Sequence, residues 1–318
     1  MDLVYTDAKR VDLGVLSAYT FDLSYGAGEN DFQMEVGITD TMLEFGAFIY
    51  IEGTEYGGIV DTKKVTSYAN KVTYTGRTWH GLMNSKVIQP DTGEDYLIVS
   101  GEANKILSTM IERLGLSGLF KVVEYSSGVN ISGYRFHRYC KGYDGIKAML
   151  ADNEAKLKIF WQNRSVYLSA EPIVDYTKTP VDGEGVITKV EKHGKKVNHL
   201  VCLGRGELSD REVVHLYADQ NGNISETQYF TGLDEVSEVY DNSNSEDLRS
   251  DGIKKFKELR ENDKAELDIT ENESSRYDIG DIVGAIEVVT GISVSSAVTQ
   301  KTVKIDNGVV STEYKTGG

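Results

Sequence analysis

Polar and apolar residues alternate through much of the first hundred positions. Phe32, Met34 and Val36 are separated by Gln33 and Glu35, the period of two expected of a strand with one buried face. Val72 and Tyr74 alternate in the same way with Lys71, Thr73 and Thr75. Phe48 to Ile51 and Tyr56 to Val60 flank Glu52-Gly53-Thr54-Glu55, which predicts a hairpin. Together these segments predict roughly six strands and a small barrel or sandwich over residues 1–98.

The period then changes. Ala103, Ile106, Leu107, Met110, Ile111 and Leu114 recur at helical spacing, predicting an amphipathic helix over 100–115 with Ser100 as N-cap and Gly115 as its stop. A shorter helix is expected from about Gly142 to Ala151, burying Ile146, Met149 and Leu150. Leu157, Ile159 and Trp161, a turn at Gln162-Asn163-Arg164, and Val166 to Leu168 predict a hairpin after it. Helices beside a hairpin make 99–180 a small α+β domain, ending in an irregular connection at Pro172 and Pro180.

Strand patterns return in VITKVEK, VNHLVCLG, REVVHLYA and ISETQYF, with a turn at Asp219 to Asn223. Near the end they recur in AELDIT, YDIGDIVGA, IEVVTGISV and VTQKTVKI. Asn307-Gly308 then leads into VVSTEYKTG, and Asn-Gly between alternating runs is a strong hairpin signal. These segments, 181–230 and 264–318, predict a second β-barrel domain. Between them, 231–263 reads as an acidic helical insertion, capped at Ser245 and carrying Leu248, Ile253, Phe256 and Leu259 on one side. The expectation is an exposed excursion outside the core. The fold class expected is β-rich α+β.

Charge sharpens the picture. The 318 residues carry a formal net charge of −16, and 221–275 holds 15 acidic against 6 basic residues, a balance of −9. Such a chain is unsuited to gripping DNA by phosphate neutralisation. Two cysteines, Cys140 and Cys202, make no disulfide framework. No apolar run reaches the roughly 18 residues of a membrane span, and the N-terminus lacks the apolar centre of a signal peptide.

The candidate chemistry is sparse. His137/Cys140 and His199/Cys202 share the spacing His-x-x-Cys, four ligands a Cys2His2 zinc site could use. Both pairs lie in strand-like stretches, however, where residues three apart face opposite ways. Gly204-Arg205-Gly206 lacks the third glycine and following helix of a dinucleotide cradle. Asp219-Gln220-Asn221-Gly222-Asn223 has its glycine in the wrong place for a calcium loop. Arg77, Trp79 and His80 form the most distinctive cluster, but no nucleophile–base pair accompanies them. The expectation is no catalytic residue, no cofactor and no metal.

Several stretches resemble the tail-hub proteins of siphophages and of prophages in Gram-positive bacteria, a family similar in fold to contractile-phage baseplate hubs. They are ENDFQMEV, YIEGTEYGGIVD, YTGRTWHGLMNSKVI, GEDYLIVSGEANKIL, VNHLVCLGRGELSDREVVHLYAD and YDIGDIVGAIEVVTGI, from near residue 20 to near 295. The resemblance implies two tail-tube-like β-barrel domains with an α+β domain between them. It implies a homotrimer at the virion tail tip that presents six barrels and closes the tail tube. Its implied partners are a tail-tube or distal tail protein ring above, and a spike, fibre or tape-measure protein at the tip. DNA would pass through the channel without specific binding, and any wall hydrolase would lie on another polypeptide. The contrasting classes are a carbohydrate- or receptor-binding tail module, using exposed tyrosines, and a cell-wall hydrolase, for which no carboxylate pair stands out.

Overall fold

The computed structural model describes residues 1–38, 43–66, 68, 70–178, 186–191, 195–260, 264–270, 277–286 and 293–316. Pro180 and 287–292 of the expected strand IEVVTGISV lie outside them. The chain divides into two compact units, one of 1–188, 266–284 and 297–315, the other of 189–265, 285–296 and 316–318. It is β-rich with few helices.

A large sheet runs in the order Val186–Glu191, Lys264–Thr270, Val309–Thr316, Ser293–Asp306, Tyr19–Gly26, Asp31–Gly37, Lys71–Thr78, Gly57–Thr66, Phe48–Tyr50, Leu3–Thr6, Asp12–Leu16. Alternation places one face inward. In Asp31–Gly37, Phe32, Met34 and Val36 are buried, and they pack with Phe21, Leu23, Val72, Tyr74, Val303 and Ile305. The terminal hairpin turns at Asn307-Gly308, both in left-handed backbone (φ 49° and 86°). Its longer strand pairs with Tyr19–Gly26 from Gln300↔Gly26 to Asp306↔Thr20. Sequence-distant ends therefore complete one core.

That pairing redistributes the strands expected to form a second barrel. Residues 266–270 and 297–315 join the first unit, whereas 199–241 makes a separate four-stranded sheet in the second. No closed barrel is found among the described residues. Among the described residues the large sheet is open, with Asp12–Leu16 at an edge.

Among the described residues, three α-helices belong to the first unit. α1, Trp79–Asn84, follows directly from Lys71–Thr78, and the Thr78 hydroxyl accepts from Gly81 N. A Cβ on Gly81 would stand 2.1 Å from the Asn30 carbonyl oxygen, so only glycine lets α1 approach there. The residue pattern predicted no helix at this position. α2, Ala103–Arg113, is capped by Glu102, not Ser100, which lies in strand Ile98–Glu102. The Glu102 carboxylate accepts from Lys105 N and from Ser127 N. Gly115 follows the helix with φ 70°, as a stop requires. α3, Gly142–Ala151, matches expectation. α2 and α3 pack on the hairpin Ala155–Gln162/Ser165–Pro172, joined in parallel by Phe120–Val122.

The second unit holds the sheet Ile224–Ser225, Val213–Ala218, His199–Leu203, Ser237–Asp241. α4, Leu248–Arg260, covers one of its faces. Leu248 and Phe256 are buried among Leu200, Cys202, Leu216 and Ala218. Gly252 sits between them in the helix. A Cβ there would come within 2.5 Å of Cys202 Sγ and 3.0 Å of Leu216 Cδ1. The helix expected to be an exposed excursion is therefore the roof of a core. The reason is geometric: Leu248, Gly252 and Phe256 fall one turn apart, and the glycine gap seats the helix on the sheet.

Candidate functional site

The chemistry of the first unit concentrates in a buried ionic junction. Ser293–Asp306 carries Lys301 on the same inward face as Val303 and Ile305, and its side chain is 1 % exposed. It pairs with Glu55, from the turn before Gly57–Thr66. Lys156 and Lys158 project from Ala155–Gln162. Lys156 Nζ donates to both Asp281 carboxylate oxygens at 2.8 Å and to Asp278 at 3.0 Å. Lys158 Nζ donates to Asp278 at 2.9 and 3.0 Å. Asp281, fully buried, also accepts from Val174 N and Asp278 N, both at 2.9 Å.

Three ammonium groups thus meet three carboxylates. Burial pushes the Asp278 carboxyl up, but Lys301, Lys158 and Lys156 together outweigh it and hold it at about 2. Burial pushes the Lys301 ammonium down, and Glu55 leads the charges that raise it above its ordinary value. The cluster joins four segments that are remote in sequence. A cleft of about 150 Å³ borders it at Glu55, Tyr56, Lys158 and Asp278. That is well below the roughly 300–1,000 Å³ of small-molecule sites.

His80, from α1, closes one side of this junction. Its ring is 4.7 Å from Tyr25 and 4.9 Å from Tyr143. Nε2 lies 3.6 Å from Glu55, and buried Nδ1 has no hydrogen-bond partner. Burial, with Lys301 and Lys147 nearby, pushes its pKa down to about 3 against the pull of Asp278. The imidazole is therefore neutral when folded, while the unfolded chain binds a proton near pH 6.5. Stability should fall on acidification through that range, by about 1.4 kcal/mol per pH unit. Asp278 acts in the same direction at lower pH: its contribution is full above its ordinary value of 3.8 and is lost as pH falls toward 2. Lys301 contributes fully below 10.5, so neither changes between pH 7 and 5. Urea unfolding at pH 7 and pH 5 should differ by roughly 2 kcal/mol, and His80→Leu should flatten that difference. An unchanged slope in the variant would refute the assignment.

The remaining sequence candidates lie apart from this junction. Arg77 forms a two-pronged pair with Asp61, both contacts 2.7 Å. Trp79 is fully buried and stacks on Trp161 at 5.1 Å, with Tyr50 on the other indole. His137 is exposed, and Cys140 packs against Gly145. Cys202 faces α4, while His199 stands on the opposite face of its strand. Among the described residues no group of three His, Cys, Asp or Glu could hold a metal. Gly206 is a left-handed turn residue, φ 97°. The Asp219 carboxylate accepts from Asn221 N and Asn223 N, serving its own turn. The ionic junction went unseen in the sequence, although Lys301 in register with Val303 and Ile305 was a readable sign of a buried cation.

No protein-family model and no curated protein matches the sequence. Solved structures do match. A tail protein of prophage MuSo2 from Shewanella oneidensis matches with a TM-score of 0.61 and 11 % identity, over 99 % of this chain and 98 % of that one. A prophage tail protein from Listeria monocytogenes EGD-e gives 0.54 and 12 %, over 99 % and 94 %. The fold is that of phage tail proteins. A tail protein from Neisseria meningitidis MC58 extends the likeness, at 0.53 and 11 % over 100 % and 96 %. The tail-protein fold thus accounts for both units, and the ionic junction fastens the large-sheet unit of that fold. No described helix is long and apolar enough to cross a membrane.

Proposed function

We propose that this chain is a structural subunit of a phage or prophage tail tip, the hub that closes the tail tube. The observation that carries the reading is end-to-end similarity to tail proteins, with nearly all of both chains covered. A small, ion-paired cleft suits a scaffold. Asp12–Leu16 adds support. It is an edge strand where Val11, Leu13 and Val15 are 48 %, 59 % and 55 % exposed, with no Lys, Arg or Pro among 11–16. Edges are ordinarily guarded against pairing, and an unguarded one suits a subunit that assembles.

In this reading three copies form a ring, and the two β units of each supply six tube-related modules. The ring meets a six-fold tail-tube or distal tail ring above, and a spike, fibre or tape-measure protein below. DNA crosses the channel without being held. The net charge of −16 fits a lumen without a basic stripe, since phosphate contacts made by Lys or Arg would retain DNA. The chain itself catalyses nothing.

The test is deletion of its gene from the producing phage or prophage. Particles should then lack closed, infectious tails, and heads and tube protein should still be made. Normal tails in the deletion strain would refute the role.

A further inference from the structure

The face of the four-stranded sheet away from α4 carries a separate histidine cluster. His199–Leu203 and Val213–Ala218 send Leu200, Cys202, Leu216 and Ala218 under α4. His199, His215 and Tyr217 therefore stand on the other side. His199 is opposite Tyr217 and Val201 opposite His215, so the two histidines are diagonal neighbours. Tyr217 stacks on His199 at 4.3 Å and 19°. His199 Nδ1 lies 2.6 Å from Glu235 Oε1 and 3.2 Å from Ser237 Oγ. A carboxylate only accepts, so Nδ1 carries the hydrogen and donates it. In the neutral ring Nε2 keeps its lone pair, which faces His215 Nδ1 at 2.8 Å. The inner side chain is 11 % exposed, and His215 is open to solvent.

The geometry points to a two-histidine site for copper(II) or nickel(II), with His199 Nε2 and His215 Nδ1 as ligands and Glu235 behind the inner one. A ligating histidine that donates its other N–H to a carboxylate has its tautomer fixed and its basicity raised. Here that partner is in place, and the Tyr217 stack restrains the ring. Two nitrogens each about 2.0–2.1 Å from an ion, at right angles, lie roughly 2.9 Å apart. A tetrahedral angle would need about 3.3 Å. The 2.8 Å spacing therefore fits tetragonal copper(II) or nickel(II) better than tetrahedral zinc. With two protein donors, water completes the shell, and affinity falls in the micromolar range.

The experiment is calorimetric titration of the full chain, freed of any purification tag, with NiCl2 and separately CuCl2 at pH 7.5. One ion should bind per chain. The copper form should show electron-paramagnetic hyperfine structure from two nitrogens. His215→Gln, at an exposed position that leaves the sheet folded, should weaken binding at least tenfold. Glu235→Gln should weaken it about 10–100-fold, with the ion still bound by two nitrogens. His137→Gln, elsewhere on the chain, should change nothing. Binding no tighter than millimolar, or binding indifferent to His215→Gln, would overturn the site and leave a shared proton as the occupant of that gap.

Discussion

Replacing Lys301 by Met lowers the stability of the large-sheet unit by about 3–5 kcal/mol, the cost of leaving buried carboxylates without their cation. Lys301 is 1 % exposed, and its partners Glu55 and Asp278 are 15 % and 18 % exposed. Neither can recover full hydration where it stands. The Asp278 carboxyl, held at about 2 with Lys301 foremost among the groups lowering it, should rise in the variant. Adding Glu55→Gln should return part of the loss, because the orphaned charge is removed along with its partner. Urea midpoints of the wild type, the two single variants and the double variant measure this directly. A Lys301→Met loss below 1 kcal/mol, or strict additivity with Glu55→Gln, would show that the junction is peripheral to stability.

The second large effect concerns α4. Phe256 is fully buried against Leu200, Cys202, Leu216 and Ala218, so Phe256→Ala should cost about 3–5 kcal/mol. Deleting 242–260 should expose that entire face and melt the second unit. Backbone amides of His199–Leu203 and Val213–Ala218 should then exchange at the rate of an unfolded chain. Those of Tyr19–Gly26 and Lys71–Thr78 should stay protected, because their core contains nothing from α4. Persisting protection in His199–Leu203 after the deletion would mean that the helix is dispensable, as its charge alone suggested.

Much of the local structure was legible because it rests on short-range rules. The alternation in Asp31–Gly37, the stripe of α3, the hairpin across Asn163-Arg164 and the Asn307-Gly308 turn all have local causes. α1 escaped notice because WHGLMN is only six residues long and follows a strand without a break. α4 was seen, and its role misjudged. Lys254, Lys255, Lys257 and Glu258 dominate its composition, and the glycine that seats it on the sheet reads as a weakness in a helix. The redistribution of the final strands could not be read locally either. Their patterns say strand, but pairing partners far apart in sequence are chosen by the core they complete. The same holds for the two polar clusters. Glu55, Lys156, Asp278 and Lys301 meet only after folding, as do His199, His215 and Glu235.

The proposed role, structural hub of a tail tip, is tested most directly by a density map of the native particle. The account predicts three copies in one ring at the distal end of the tube. Each copy should contribute two β units around a continuous channel whose wall has no basic stripe. A closed ring of six copies, a position on the capsid or along the tube, or absence from the particle would contradict it.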